Sequence, residues 1–385
     1  MSAHFPDFIS NLDNLVKLPS VSSANHSIDM SNSKVIEYLA TCFEDLGFSC
    51  ELINSPSSSG NLKTNLVATR GEGGGGLVLS GHTDTVPLDE DLWSVNPFGL
   101  TEKDNRLYGL GSTDMKGFFP VVMEAVKSIG DAELKQPLII LATADEETSM
   151  QGARTIAETG ALQGRFAVIG EPTGLVPVKA HKGIMMESIR LQGKSGHSSD
   201  PSLGINALEA MHAVITDLLL FRKELQHKYR NDLFKIEYPT LNLGCIHGGD
   251  NPNRICGRCE LEIDVRLMPG MVIEEIRELI RKRVEQVTKP LGIEFEIVPL
   301  FPGVPAFLAD TDSEILRMTE SMTGQAGISV AFSTEAPHLQ KLGMDTIIFG
   351  PGNIDQAHQP DEYMSLEMVK PGIGYLTQII ENACL

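Results

Sequence analysis

Two rhythms of apolar residues run along the chain. In the first, apolar residues come in short unbroken runs at 65–69, 77–80, 138–143, 167–169 and 346–349. Runs with no polar alternation suit strands covered by helices on both faces. Ahead of them Val35, Ile36, Leu39, Ala40, Phe43 and Leu46 recur at helical spacing, so the pattern predicts a helix over 33–46, stopped by Gly47. The glycines at 73–76 lead into a strand and lack a following Lys-Ser/Thr. They read as a flexible connection rather than a phosphate loop.

The second rhythm occupies 182–303. The predicted elements are a strand at 184–191, a helix at 205–226, strands at 240–245 and 259–267, a helix at 273–287 and a strand at 293–299. The order β-α-β-β-α-β is the split motif of ferredoxin-like folds. The expectation is therefore an α/β domain, an α/β/α sandwich built from 1–181 and 304–385, interrupted by a smaller α+β domain at 182–303.

Composition narrows the function. With 385 residues, 42% hydrophobic and 21% charged, the chain has the make-up of a globular protein able to bury several cores. Lys and Arg number 31 against 51 Asp and Glu, a net charge of −20. That excess repels phosphate backbones and anionic lipid heads, so neither nucleic acid nor a membrane is an expected partner. It suits cationic substrates, or carboxylates gathered around a divalent metal. No apolar run approaches the roughly 20 residues that span a bilayer. The opening MSAHFPDFIS lacks a basic segment followed by an apolar one, and six sparse cysteines fit a reducing compartment, so a cytoplasmic location is expected. Cys256 and Cys259 form a CxxC with no second pair to complete a thiolate zinc site, and read as structural.

The chemistry lies at strand ends. LVLSGH ends at His82, with Asp84 two residues on; LIILATADEE ends in Asp145, Glu146 and Glu147; FAVIGE ends at Glu171; TIIFGPGNIDQAH leads to His358. Asp114 stands in GLGSTDMKG, a loop entering a helix. The C-terminal edge of an open α/β sheet is where ligands bind. Histidines and carboxylates converging there need a positive ion. Such a set without thiolate suits zinc, with cobalt or manganese as alternatives. Five ligands exceed the needs of one catalytic zinc and point to two metals sharing a carboxylate.

The motifs SGHTDTVP, GLGSTDMKG, ATADEE, IGEPT, GKSGHSS and AHQPDE together resemble the dinuclear zinc amidohydrolases, which include acetylornithine deacetylases, succinyl-diaminopimelate desuccinylases and glutamate carboxypeptidases. The resemblance spans essentially the whole chain. The segments GEPTGLVPVKAHKG, FSTEAP and GPGNIDQAHQPDEY resemble the acetylornithine deacetylase branch most. It implies a zinc-exopeptidase-like catalytic domain and an inserted lid or dimerisation domain. His82 and Glu171 would hold one zinc, Glu147 and His358 the other, and Asp114 would bridge both. Asp84 would orient His82 through its far nitrogen, as carboxylates behind metal ligands do. Glu146 would be the general base toward a metal-activated water. A cis peptide bond is implied at Asp114–Met115. His197, in GKSGHSS, would help stabilise the oxyanion in the partner subunit's site, which implies a homodimer through the inserted domain. Asn253 and Arg266 match positions that bind the substrate carboxylate, an Arg fork being suited to it. Ser333 and Thr334 of FSTEAP, with Glu335, would line the pocket.

The expected activity is hydrolysis of the amide of N2-acetyl-L-ornithine, a small acylated amino acid, to ornithine and acetate. A related acyl-amino-acid hydrolase or dipeptidase on the same site is the alternative. Serine hydrolysis fits less well, because G-x-S-x-G would need glycine where His197 stands in GKSGH. A non-catalytic scaffold fits less well again, because His82, Asp114, Glu146, Glu147, Glu171 and His358 are all present.

Overall fold

The structure is a computed structural model and describes residues 5–57 and 59–385. Residues 1–4, with which the leader reading begins, lie outside that range. The described chain divides into two units. The first takes the chain through Lys179, Ala309–Ile328 and Thr334–Leu385, and the second takes Ala180–Leu308 and Ser329–Ser333.

In the first unit, strands Leu138–Thr143, Leu77–His82, Phe166–Ile169 and Asp345–Ile348 lie side by side in that order, all parallel. Strand Lys63–Arg70 adds antiparallel to Leu138–Thr143, and Ser49–Ser55 pairs antiparallel beyond it. Burial accounts for the unbroken apolar runs. Leu77, Leu79, Leu138 and Ile140 join one core with Phe119 and Val122 of helix Phe118–Ile129, while their neighbours Val78 and Ile139 are buried too. Helices Gln151–Thr159 and Ala336–Lys341 also pack against sheet strands. Each fully buried Leu or Phe contributes roughly 1.5–3 kcal/mol through removal from water.

The helix predicted at 33–46 is present as Ser33–Asp45, with Val35, Ile36, Leu39 and Phe43 on its buried face. A small sheet of Thr101–Lys103, Arg106–Tyr108 and Tyr363–Ser365 joins the loop before Asp114 to the segment after His358. Its three-residue strands are too short to show in the hydrophobic pattern.

The second unit is a four-stranded antiparallel sheet in the order Thr240–Gly248, Arg258–Leu267, Gly183–Gln192, Glu294–Pro299, with helices Ala207–Lys228 and Ile273–Thr288. This is the ferredoxin-like order. Strand Arg258–Leu267 shows why its alternation was readable: Cys259, Leu261, Ile263, Val265 and Leu267 are buried, and their neighbours are not. Helix Ala207–Lys228 is capped by Asn206, whose Oδ1 accepts from the N–H of Leu208 at 3.0 Å, and it ends on His227 and Lys228, which suit its negative terminus. Among the described residues no helix is long and apolar enough to cross a membrane.

Candidate metal centre

The parallel strands of the first unit deliver a cluster of acids and histidines to one edge. His82 is the last residue of its strand and stands in register with Thr143 of the next. Beyond Thr143 the chain turns through Asp145, whose backbone is left-handed at φ 58°, to Glu146 and Glu147. The Asp84 carboxylate fixes this turn: Oδ1 accepts the N–H of Glu146 at 3.2 Å and Oδ2 that of Glu147 at 3.1 Å. Two adjacent glutamates thereby diverge. The Glu147 carboxylate lies 3.0 Å from His358 Nε2, whereas Glu146 joins His82 and Glu171, with ligand atoms within 4.8 Å of one another. Glu171 follows strand Phe166–Ile169 by way of Gly170. A Cβ on Gly170 would lie 2.3 Å from the Phe118 ring, so the close passage requires glycine.

Asp114 lies between the two histidines. Its Oδ1 is 3.1 Å from His82 Nε2 and its Oδ2 is 3.5 Å from His358 Nε2. The Asp114–Met115 peptide is cis. Asp84 meets His82 differently from the expectation: Nδ1 is 3.0 Å from the Asp84 carbonyl oxygen and 3.7 Å from Oδ1. The carboxylate is taken up by the two backbone N–H groups of the glutamate turn, which leaves the carbonyl to face the ring.

Electrostatically the cluster holds more acids than cations. Burial, followed by the charge of Glu171, pushes Glu146 well above the usual carboxylate range. Burial and the charge of Asp114 do the same to Glu171 and raise Glu147. Burial opposes charge on His82, but its hydrogen bond to Asp114 and the nearby acids outweigh it and raise the imidazole well above normal. The hydrogen bond to Glu147 lifts His358 to about 9. Stranded carboxylates of this kind are relieved by protons or by a cation. The donors offered together are imidazole nitrogens and carboxylate oxygens, as His82, Asp114 and Glu147 and as His82, Glu146 and Glu171. This chemistry fits divalent metal.

Two further acids stand around the cluster: Glu362, to which the sequence reading assigns no role, and Glu335, expected there only as a pocket-lining residue. Glu362, 2% exposed, accepts the N–H groups of Gly111 at 2.9 Å, Thr113 at 2.7 Å and Asp114 at 2.9 Å. Burial pushes it up to about 8 against the opposing pull of those donors. It stands in the AHQPDE motif, but nothing in the sequence shows that it cradles a loop some 250 residues earlier. Glu335, 1% exposed, accepts from Thr143 Oγ1 at 2.8 Å, and burial raises it to about 7. Its Oε1 has no hydrogen-bond partner among the described residues.

The remaining sequence candidates are distributed between the units. Thr334, in the first, is fully buried and accepts the N–H of Ala336 at 3.2 Å. In the second unit, Ser333 donates to the carbonyl of Lys182 at 2.6 Å. Exposed His197 forms a backbone bridge with Arg254, and its Nδ1 is 2.7 Å from Ser199 Oγ. Exposed Asn253 accepts the N–H of Ser198 through its carbonyl at 3.1 Å, so it neighbours the His197 loop. Arg266 is held in a two-pronged pair with Asp264, at 2.9 and 3.0 Å, and lines a cavity of about 470 Å³ with Lys182, Phe234 and Phe332.

Comparison with known proteins agrees with this architecture. The family model described as peptidase family M20/M25/M40 matches residues 78–382. The acetylornithine deacetylase of Pectobacterium carotovorum subsp. carotovorum strain PC1 is 46% identical over 384 residues, covering 100% of both chains. Among solved structures, an M20-family metallo-carboxypeptidase from Sulfolobus solfataricus superposes with a TM-score of 0.76 at 20% identity, covering 98% of this chain and 99% of that one. A dinuclear metal-binding peptidase of the M20 family from Bacillus subtilis gives 0.69 at 16% identity, covering 98% of each. At those identities the structural likeness concerns the fold alone.

Proposed function

The chain belongs to peptidase family M20/M25/M40, and from that premise we propose that it hydrolyses N2-acetyl-L-ornithine to L-ornithine and acetate at a pair of zinc ions. One observation carries the metal chemistry: Asp114 turns one oxygen to His82 and the other to His358, and each histidine has a further acid beside it. The choice of substrate rests on the full-length identity to acetylornithine deacetylases.

In this reading Asp114 would be shared between two metals, with His82 and Glu171 as the other ligands of one, and Glu147 and His358 as those of the other. When bound, the metals act as Lewis acids that acidify a water and polarise the substrate carbonyl. Glu146 takes a proton from the attacking water as its oxygen bonds to the carbonyl carbon. Buried beside the metal ligands His82 and Glu171, its carboxylate can serve first as base and then as acid. As the carbon–nitrogen bond breaks, Glu146 passes that proton to the departing amine, and acetate remains. Asp84 keeps Glu146 aimed by holding its backbone N–H.

The second unit supplies recognition. Arg266 and Asn253 hold the substrate's α-carboxylate, and Ser333 lines the pocket together with Thr334 of the first unit. His197 donates to the developing oxyanion in the partner subunit's site, so the working form is a homodimer through the second unit. The location is cytoplasmic.

Metal content and turnover measured together test the reading. Wild type is expected to hold zinc and to favour acetylornithine over succinyl-diaminopimelate and dipeptides. Glu146→Ala should retain the metal but lose about 10²–10⁴-fold in kcat. Zinc-free wild type with full activity, or acetylornithine among the poorest substrates, sinks the proposal.

A further inference from the structure

Lys63, the first residue of strand Lys63–Arg70, is 2% exposed, although lysine is almost never buried without a partner. Its ammonium lies between two acids, 2.8 Å from Asp29 Oδ1 and 2.6 Å from Asp145 Oδ1. The two acids belong to different parts of the first unit. Asp29 organises a surface loop, accepting the N–H of Ser23 at 3.1 Å and the amide of Asn61 at 3.0 Å. Asp145 heads the turn that carries Glu146 and Glu147. Its backbone is left-handed, and its carbonyl oxygen accepts the N–H of Ser149 at 3.1 Å and of Met150 at 2.7 Å. Its Oδ1 also accepts from Ser22 Oγ at 2.9 Å.

The glutamate turn is thus gripped on two sides, by Asp84 through the N–H groups of Glu146 and Glu147 and by Lys63 through the Asp145 side chain. Burying an ammonium with two carboxylates carries a heavy desolvation cost, and apolar packing serves stability as well or better. What the ion pairs add is direction. Short charge-assisted contacts fix an atom within a fraction of an ångström, and errors on that scale beside reacting groups are costly in rate.

We propose that Lys63 is a positioning residue: through Asp145 it sets the directions in which Glu146 and Glu147 leave their turn, so that one faces the attacking water while the other stays on His358. It touches neither substrate nor reacting atoms. The proposal rests on the roles given above to Glu146 and Glu147.

Lys63→Met should keep the fold by circular dichroism and lower kcat about 30–100-fold while KM moves less than about 3-fold. Zinc retained after dialysis against a graded chelator should weaken about 10-fold. Lys63→Arg, which restores the cation, should recover kcat to within about 5-fold of wild type. Asp29→Asn removes the arm that points away from the turn and should change kcat less than about 3-fold. If Lys63→Met fails to fold, Asp145→Asn removes the same link with little change in shape and should show the same loss in kcat and zinc retention. Lys63 is only a structural tie if Lys63→Met or Asp145→Asn loses activity in proportion to its unfolded fraction alone, or if Asp29→Asn costs as much as Lys63→Met. Active, zinc-loaded wild type beside an unimpaired Lys63→Met overturns this proposal by itself. Wild type without zinc or turnover overturns the underlying reading and this proposal with it.

Discussion

The acids of the two units have opposite fates. In the second unit several are answered by cations at the surface. Glu260 is drawn below its usual range by Ser188 and Arg190, Glu278 falls to about 2 under its hydrogen bonds to Arg281, and Arg283 engages both Asp217 and Glu224. At the strand ends of the first unit Glu146 and Glu171 are buried among other acids and pushed up. The difference separates two uses of one residue type. An acid whose charge is already matched is part of the framework. An acid buried away from any matching cation is held ready for a ligand or a proton.

The sharpest way to break that contrast is to remove metal. Dialysis against a chelator should abolish acetylornithine hydrolysis and lower the melting temperature. Zinc or cobalt should restore both, while hydrogen exchange in strands Arg258–Leu267 and Gly183–Gln192 stays unchanged. Loss of protection in both units alike would erase the distinction. Next in size, Glu362→Gln disturbs the three N–H groups that shape the Asp114 loop and should cost about 10–100-fold in kcat or metal affinity, measured by turnover and competitive chelation.

The third test lies in the second unit. Arg277 donates to Glu187, which is 0% exposed, at 2.8 Å. Arg277→Ala strands that carboxylate and should lower stability by about 2–3 kcal/mol in urea unfolding, with kcat per folded molecule unchanged. Arg281→Ala, on the surface, should cost no more than about 0.5 kcal/mol. The smallest effect is a pH slope. Burial lowers His338 to about 4 in the folded protein, from a usual value of 6.5. The unfolded chain therefore takes up the proton first as pH falls, so stability is full above about 6.5 and declines toward 4. His338→Gln should flatten that slope in urea titrations at pH 5 and 7.

Much of this was legible in the sequence because burial on two faces writes an unbroken run and burial on one face writes an alternation. The run at 138–143 and the alternation at 259–267 map onto strands within one residue of their ends. The gathering of His82, Glu146, Glu147 and Glu171 follows from the same pattern, since the end of a parallel strand has one place to be, whereas Asp114 and His358 arrive on longer loops. Glu362 and Lys63 were not legible. A charged residue that cradles backbone amides far along the chain has the same local spelling as one dissolved in water, and the partners become neighbours only through tertiary structure. The geometry of Asp84 was hidden similarly, because the sequence names the side chain but not which of its oxygens meets the ring.

The parallel sheet has one more implication, for the order in which the protein is made. Its strand nearest the chain end, Asp345–Ile348, lies beside Phe166–Ile169, and the second unit is synthesised between them. A chain growing on the ribosome therefore carries His82, Asp114, Glu146, Glu147 and Glu171 through nearly half of its elongation before His358 emerges. The acid cluster is finished late, and a translation product interrupted before that point lacks the imidazole that faces Glu147.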